Sequence, residues 1–254
     1  MSAVLRRLLP AGLRACLREQ VLSGDTVRCP LCDRGAIAFL PMGTPPRPHV
    51  MCPFCGSFER TRMMALALKE RGLPRSGDRV LHVAPDRSLR SMLSALPITY
   101  VAGDKMEPGY TYPSGTEYLD VTAIPHPDDH FDLIICSHVL EHVPDDRRAM
   151  RELCRVLKPR GLAILLVPLS NAATTDEDPA VTDPVQRRER FGQFDHVRLY
   201  GRDYFERLRE AGFIVTVERM AERMGYEDMF RYGLKADEEL VMGTKPGAAG
   251  TTGT

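Results

Sequence analysis

The chemically most informative spacing in the chain is a set of four cysteines. Cys29 and Cys32 stand in CPLC, Cys52 and Cys55 in CPFC, with nineteen residues between the pairs. Two C-x-x-C turns offer four thiolates to one tetrahedral Zn²⁺, and this separation matches the two-knuckle pattern. A proline after the first cysteine of each pair, and Gly56 after the last, help a tight turn present its sulfurs to one ion. Two disulfides or four free thiols are the competing readings; a reducing compartment disfavours the first and the paired spacing the second. Four protein ligands leave no open position, so the expected zinc is structural. Cys136 and Cys154 fall on apolar faces and read as inert core residues, while Cys16 carries no signal.

A second set of candidates consists of carboxylates that close β-rich runs. Asp104 follows ITYVAG, and Asp120 closes TEYL. Asp104 is placed to accept both hydroxyls of a ribose, about twenty residues after a first strand-to-helix turn. That turn reads RVLHVAPDRSL, with Ala84, Asp86 and Ser88 where a nucleoside site normally has glycines.

The elements that must position these groups alternate from Arg79 onward. RVLHVA (79–84), ITYVAGD (98–104), TEYLDV (116–121), FDLIICS (131–137) and LAILLVPL (162–169) read as strands, FDLIICS as a central one buried on both faces. SLRSMLSAL (88–96) has helical spacing. A helix is expected over 144–161, capped by Asp145 and stopped by Lys158, Arg160 and Gly161. The polar segment 171–198 reads as a long functional loop. A helix over 202–213 and strands over 213–220 and 238–245 follow. This alternation predicts a doubly wound α/β sheet, whose ligand lies outside the carboxyl ends of the central strands. The domain reading is 1–75 for an N-terminal helix and zinc-binding module, 76–246 for the α/β domain, and 247–254 for a disordered tail.

Composition excludes several classes. Thirty-four basic residues balance thirty-four acidic ones, so bulk charge does not point to a polybasic nucleic-acid binder. Residues 1–75 nevertheless carry 12 Lys/Arg against 5 Asp/Glu, a basic front on an acidic body. No run approaches the ~18–20 apolar residues that span a bilayer. The Arg-rich first twenty residues superficially resemble an organellar presequence, but Pro10 interrupts them and they lack an apolar run for secretion, so a mature helix is expected. Seven cysteines without a secretion signal point to a reducing compartment, with the cytoplasm as the expected default.

The run DVTAIPHPDDHFDLIICSHVLEHVPDDRRAMRELCRVLKPRGLAILLVP resembles the core of class I S-adenosylmethionine-dependent methyltransferases, in the type 11-like group with FDxIxxxxVLEHV followed by LxRVLKPxG. The likeness extends over roughly residues 78–245. It implies a seven-stranded Rossmann-like sheet with an antiparallel last hairpin, and S-adenosyl-L-methionine bound across the strand tips. Position by position, it implies that the turn from His82 through Ala84 to Asp86 stands at the family's glycine-rich motif. Asp104 takes the ribose, Asp120 and Val121 lie beside the adenine, and Ser137 and His138 line the methyl-donor pocket. The departures are that His82 replaces the usual acidic residue and that the three glycines are gone.

Such a cofactor brings an electrophilic methyl group, so the protein must align and desolvate a nucleophile, with a general base where that nucleophile is weak. Candidate bases are His138 and His196; His142, with Glu141, reads rather as an anchor for the following helix. Asp195, His196 and Arg198 stand beside the expected acceptor mouth, where Arg198 would pair with a carboxylate or phosphate. The leading function is methyl transfer to an O or N nucleophile of a small or medium-sized acceptor framed by the zinc module and the 171–198 loop. The alternatives are a zinc-module RNA methyltransferase and a non-catalytic cofactor-binding or zinc-mediated interaction protein.

Overall fold

The computed structural model describes residues 11–107 and 111–247. The first half of the expected N-terminal helix and the tail at 248–254 lie outside the described residues. The chain runs through α1 (Ala11–Leu22), β1 (Ser23–Arg28), β2 (Gly35–Ala36), β3 (Leu40–Met42), β4 (Arg47–Met51) and α2 (Glu59–Glu70). It continues through β5 (Arg79–Val83), α3 (Arg87–Leu93), β6 (Thr99–Asp104), β7 (Thr116–Tyr118) and β8 (Phe131–Ser137). A single 3₁₀ turn at Leu140–His142 leads into α4 (Asp146–Val156) and β9 (Leu157–Leu166). Then follow β10 (Asp176–Glu177), α5 (Pro184–Phe191), β11 (Arg198–Leu199), α6 (Tyr204–Glu210), β12 (Ile214–Arg219), α7 (Met220–Arg223), α8 (Tyr226–Tyr232) and β13 (Glu239–Thr244).

These elements form two compact units. Of the described residues, one contains 11–73, Asp86–Ala95 and Arg219–Glu239; the other contains Pro74–Pro85, 96–107, 111–218 and 240–247. In the first, β1 pairs with β2 and β3 with β4, both antiparallel. A small core of Val27, Cys29, Ala36, Phe39 and Cys52 sits between the hairpins. Arg62 of α2 is fully buried and donates to the carbonyls of His49, Val50, Ser57, Tyr232 and Gly233 while stacking on Phe39. Gly233 is required there: its φ is +59°, and a Cβ would stand 2.4 Å from the Phe39 ring.

The second unit carries a seven-stranded sheet in the order β12-β13-β9-β8-β5-β6-β7. Strands β7, β6, β5, β8 and β9 are mutually parallel, and β13 runs antiparallel to β9. The expected α/β sheet with its antiparallel last hairpin is therefore present. The apolar runs form its core: Val80, Leu81, Leu133, Ile134, Ile135, Ala163, Ile164 and Leu165 are all essentially inaccessible. Between β5 and β8 the chain order reverses, which is the switch point where open α/β sheets place their ligands. Among the described residues, no helix is long and apolar enough to cross a membrane.

Three sequence expectations need correction. Helix α4 ends at Val156, well before Gly161, and Leu157 already has extended dihedrals (φ −75°, ψ 135°). Pro159 bars the longer helix, because its ring pushes Lys158 out of the helical region and clashes with a helical carbonyl four residues back. Lys158, expected as a helix stop, instead gives its ammonium to both oxygens of Asp132. Strand β7 is three residues shorter than expected, because Asp120 turns the chain by accepting from the amide and hydroxyl of Thr122. The 171–198 segment is not a plain loop: it holds α5, β10 and the start of β11. Asp183 caps α5, Pro184 opens it and Gly192 closes it at φ +92°. That D-P…G punctuation was present in the sequence.

Candidate functional site

The four-cysteine centre is built from two equivalent turns. In each, the residue after the second cysteine returns its amide to the first cysteine's carbonyl, Asp33 to Cys29 at 2.9 Å and Gly56 to Cys52 at 3.1 Å. Both residues closing these turns are left-handed, Asp33 at φ +55° and Gly56 at +77°. The turns bring the four sulfurs within 4.8 Å of one another. Cys29 and Cys55 are 3.6 Å apart and Cys32 and Cys52 3.8 Å apart. Tetrahedral zinc with ~2.3 Å bonds sets its sulfurs about 3.8 Å apart, so the donor set and its spacing fit that ion. Ser57 Oγ lies 3.3 Å from both Cys29 and Cys55, and the amide of Phe54 donates to Cys52. Donation from the Cys32 thiol first, then from Cys52 and Cys55, holds the Cys29 pKa far below the ordinary thiol range. Cys136 and Cys154 are buried as expected, and burial pushes both thiols up.

The strand tips of the sheet form the second candidate site. Ala84, directly after β5, has φ +48°, and His138, directly after β8, has φ +57°. Adjacent central strands thus end in left-handed residues that are not glycine, each costing of order 1–3 kcal/mol and held by its surroundings. The amide of Ala84 donates to Gly103 O and that of His138 to Leu166 O, both at 2.8 Å. Ala84 therefore adopts a backbone normally reserved for glycine, which reconciles the missing glycines with a tight turn.

Asp104 ends β6, half-buried, with Oδ1 accepting from the amide of Met106 at 3.3 Å. Asp120 is half-buried; the hydroxyl and amide of Thr122 hold its carboxyl below the usual range. Val121 is buried beside it. Ser137 ends β8 with its Oγ buried and without a hydrogen-bond partner. An orphaned hydroxyl at the switch point and a half-open carboxylate at the next strand tip suit a polar nucleoside ligand. His82 faces otherwise: it is buried in β5, with Nδ1 2.9 Å from the Tyr100 hydroxyl on β6. Asp86 caps α3, its Oδ1 accepting from the amides of Ser88 and Leu89 and from the Ser88 hydroxyl.

The residues expected to meet the acceptor divide into two groups. His196 is buried with Nδ1 3.0 Å from Phe191 O. Its ring meets that of His142 edge-on at 4.7 Å, and His142 Nδ1 lies 3.4 Å from Asp195. His138 Nδ1 is 3.3 Å from Glu141, whose carboxylate is 1% exposed. His138, Glu141, His142, Asp195 and His196 therefore surround the turn after β8. Asp145 caps α4 as expected, accepting from the amide of Arg148.

Arg198 stands apart. It is 4% exposed and donates to the carbonyls of Leu140, Val143 and Pro144 and to Glu177. Together with Arg207, Tyr200 and Asp146 it forms a buried ionic network behind the turn, with Arg207 donating to Asp146 and Glu177. Every guanidinium nitrogen of Arg198 is engaged within the protein, which leaves no fork for a substrate anion. Glu177 and Asp146, its partners, carried no signal in the sequence beyond being acidic.

Comparison with known proteins bears on the same strand tips. Residues 107–165 match the family model described as "Methyltransferase domain". A 124-residue stretch is 33% identical to 2-phytyl-1,4-naphtoquinone methyltransferase of Synechococcus elongatus, covering 48% of this chain and 46% of that protein. Another of 76 residues is 37% identical to the uncharacterized methyltransferase YcgJ of Bacillus subtilis, covering 30% and 28%. The chain thus spans less than half the length of these curated relatives. The solved structure of YcgJ from Bacillus subtilis superposes with a TM-score of 0.44 at 17% identity, over 72% of this chain and 99% of that one. The family-model match runs from just after β6 to β9 and includes Asp120, Val121, Ser137 and His138.

Proposed function

We propose that the protein is an S-adenosylmethionine-dependent methyltransferase acting on an O or N nucleophile of a small or medium-sized acceptor. The observation that carries this reading is that the methyltransferase-domain match falls on the very segment that builds the tips of β7 and β8. In this reading residues 76–246 carry the transfer and residues 1–75 the structural zinc. When bound, the cofactor supplies an electrophilic methyl group on sulfur.

The chain's own residues do the rest. Asp104 takes the ribose hydroxyls with the oxygen not given to Met106, and Asp120 with Val121 bounds the adenine. Ala84 brings the backbone close at the end of β5, and Ser137 offers its free hydroxyl at the end of β8. His82 and Asp86 hold the strand and turn in shape through Tyr100 and Ser88. His138, half-buried beside Ser137, is the better placed base for an acceptor hydroxyl, its Nδ1 lying 3.3 Å from Glu141. His196, buried with Nδ1 committed to Phe191 O, serves the site through its other nitrogen. Asp195 remains an acceptor-side carboxylate, while Arg198 holds the 140–144 turn.

Calorimetry with S-adenosylmethionine, followed by a screen of acceptors for release of S-adenosylhomocysteine, tests this. Binding in the micromolar range with turnover on an alcohol or amine is expected. A folded, zinc-loaded protein that binds no cofactor would refute it. Turnover only on a carbon nucleophile, such as the ring of a quinol, would overturn the O/N assignment alone.

A further inference from the structure

We propose that Glu141, His142 and His196 form a second metal site, for a divalent ion of borderline softness such as Zn²⁺, at the turn after β8. One ligand atom from each lies within 4.8 Å of the others. Tetrahedral ligand atoms at ~2.0–2.2 Å from an ion stand about 3.4 Å apart, so closure requires movements of about 1.4 Å at most. His142, with 30% of its side chain exposed, has the freedom to make them.

Three independent features favour an ion there. The first is the carboxylate of Glu141, which is 1% exposed with neither oxygen in a hydrogen bond. His138 makes an ion-pair contact with it at 3.3 Å but does not hydrogen-bond it. A buried carboxylate so poorly compensated is costly, and a divalent cation supplies the missing charge and coordination.

The second is tautomer control. Nδ1 of His196 sits 3.0 Å from the carbonyl of Phe191, which only an N–H can satisfy. Nδ1 of His142 faces the Asp195 carboxylate at 3.4 Å. In His196 the lone pair is therefore left on Nε2, and a neutral His142 that donates to Asp195 would carry its own there too. Metal-binding imidazoles are oriented in this way, with the far nitrogen donating to a carbonyl or carboxylate. The third is composition: two imidazoles and one carboxylate suit Zn²⁺ and its neighbours, whereas Mg²⁺ and Ca²⁺ prefer all-oxygen sets. Three protein ligands leave a fourth position for water or an acceptor oxygen.

Dialysis of the full chain against buffered Zn²⁺, with bound metal counted by mass spectrometry, tests the site without reference to activity. The wild-type protein should hold one more equivalent than His142→Ala. Asp195→Asn should weaken that equivalent by about 10–100-fold, the usual effect of an outer partner. Because Glu141 is buried, Glu141→Gln is a second variant, scored only after circular dichroism shows it folded. Co²⁺ in this site should give d–d bands without the thiolate charge-transfer band expected of the four-cysteine centre. Equal zinc content in wild type and His142→Ala at every free-zinc concentration would overturn the site, as would a second equivalent that folded Glu141→Gln retains. Saturation by Mg²⁺ at the same concentrations would overturn the class of ion.

Discussion

Arg198→Met separates a structural strut from a substrate clamp. The side chain is almost fully buried and donates to the carbonyls of Leu140, Val143 and Pro144, the first at 3.0 Å and the last at 2.8 Å. Methionine fills much of the volume but leaves the carbonyls of Val143 and Pro144 without a donor, at about 1–3 kcal/mol each, while Leu140 keeps the Tyr200 hydroxyl and the Val143 amide. The bond to Glu177 adds little to that loss. Glu177 is 38% exposed and keeps Arg207 at 2.8 Å, so solvent and the remaining guanidinium compensate it. Asp146 likewise keeps Arg207 and Tyr200. Contacts within one network do not add fully, so for two uncompensated carbonyls we expect a loss of about 2–4 kcal/mol. Urea unfolding should show it as a lower midpoint at unchanged slope. At temperatures where the variant remains folded, the acceptor KM should be unchanged. A loss below about 1 kcal/mol together with a raised acceptor KM would refute the argument and return Arg198 to the substrate.

Three further outcomes follow from other parts of the molecule. Cys52→Ser should lose the zinc of the four-cysteine centre and destabilise the 24–60 region, read by metal content and by proteolysis; a folded variant that keeps this zinc would contradict the assignment. Asp104→Ala should weaken S-adenosylmethionine at least about tenfold, since one charge-assisted hydrogen bond is worth roughly 1.5–3 kcal/mol; unchanged affinity would move the ribose elsewhere, with Glu107 the next candidate. Burial alone would raise the Asp132 pKa, but the Arg79 amide and Lys158 ammonium outweigh it and hold the carboxyl below its ordinary value. That stabilisation is present above the unfolded value of about 3.9 and is lost as pH falls through the lower folded one, so Asp132→Asn should flatten acid unfolding below about pH 4. An unaltered acid limb would show that the bridge contributes nothing.

Much of this fold was legible in one dimension because its signals are local. Apolar runs of five to seven residues marked β5, β6 and β8, and Asp145 marked the start of α4, since periodicity and capping act within a few residues. The C-x-x-C turns were legible for the same reason. The basic residues and Gly161 point to a later stop for α4 than Pro159 allows. What sequence could not convey was which polar groups end up without water. Arg198 looked like a substrate ligand until tertiary structure wrapped three carbonyls around it, and Arg62 carried no signal at all. Glu141 read as a helix anchor, whereas folding buries its carboxylate between imidazoles separated by up to fifty-eight positions in the chain. The choice between a solvated charge, a strut and a ligand depends on desolvation and on partners distant in sequence, and only the folded chain brings those together.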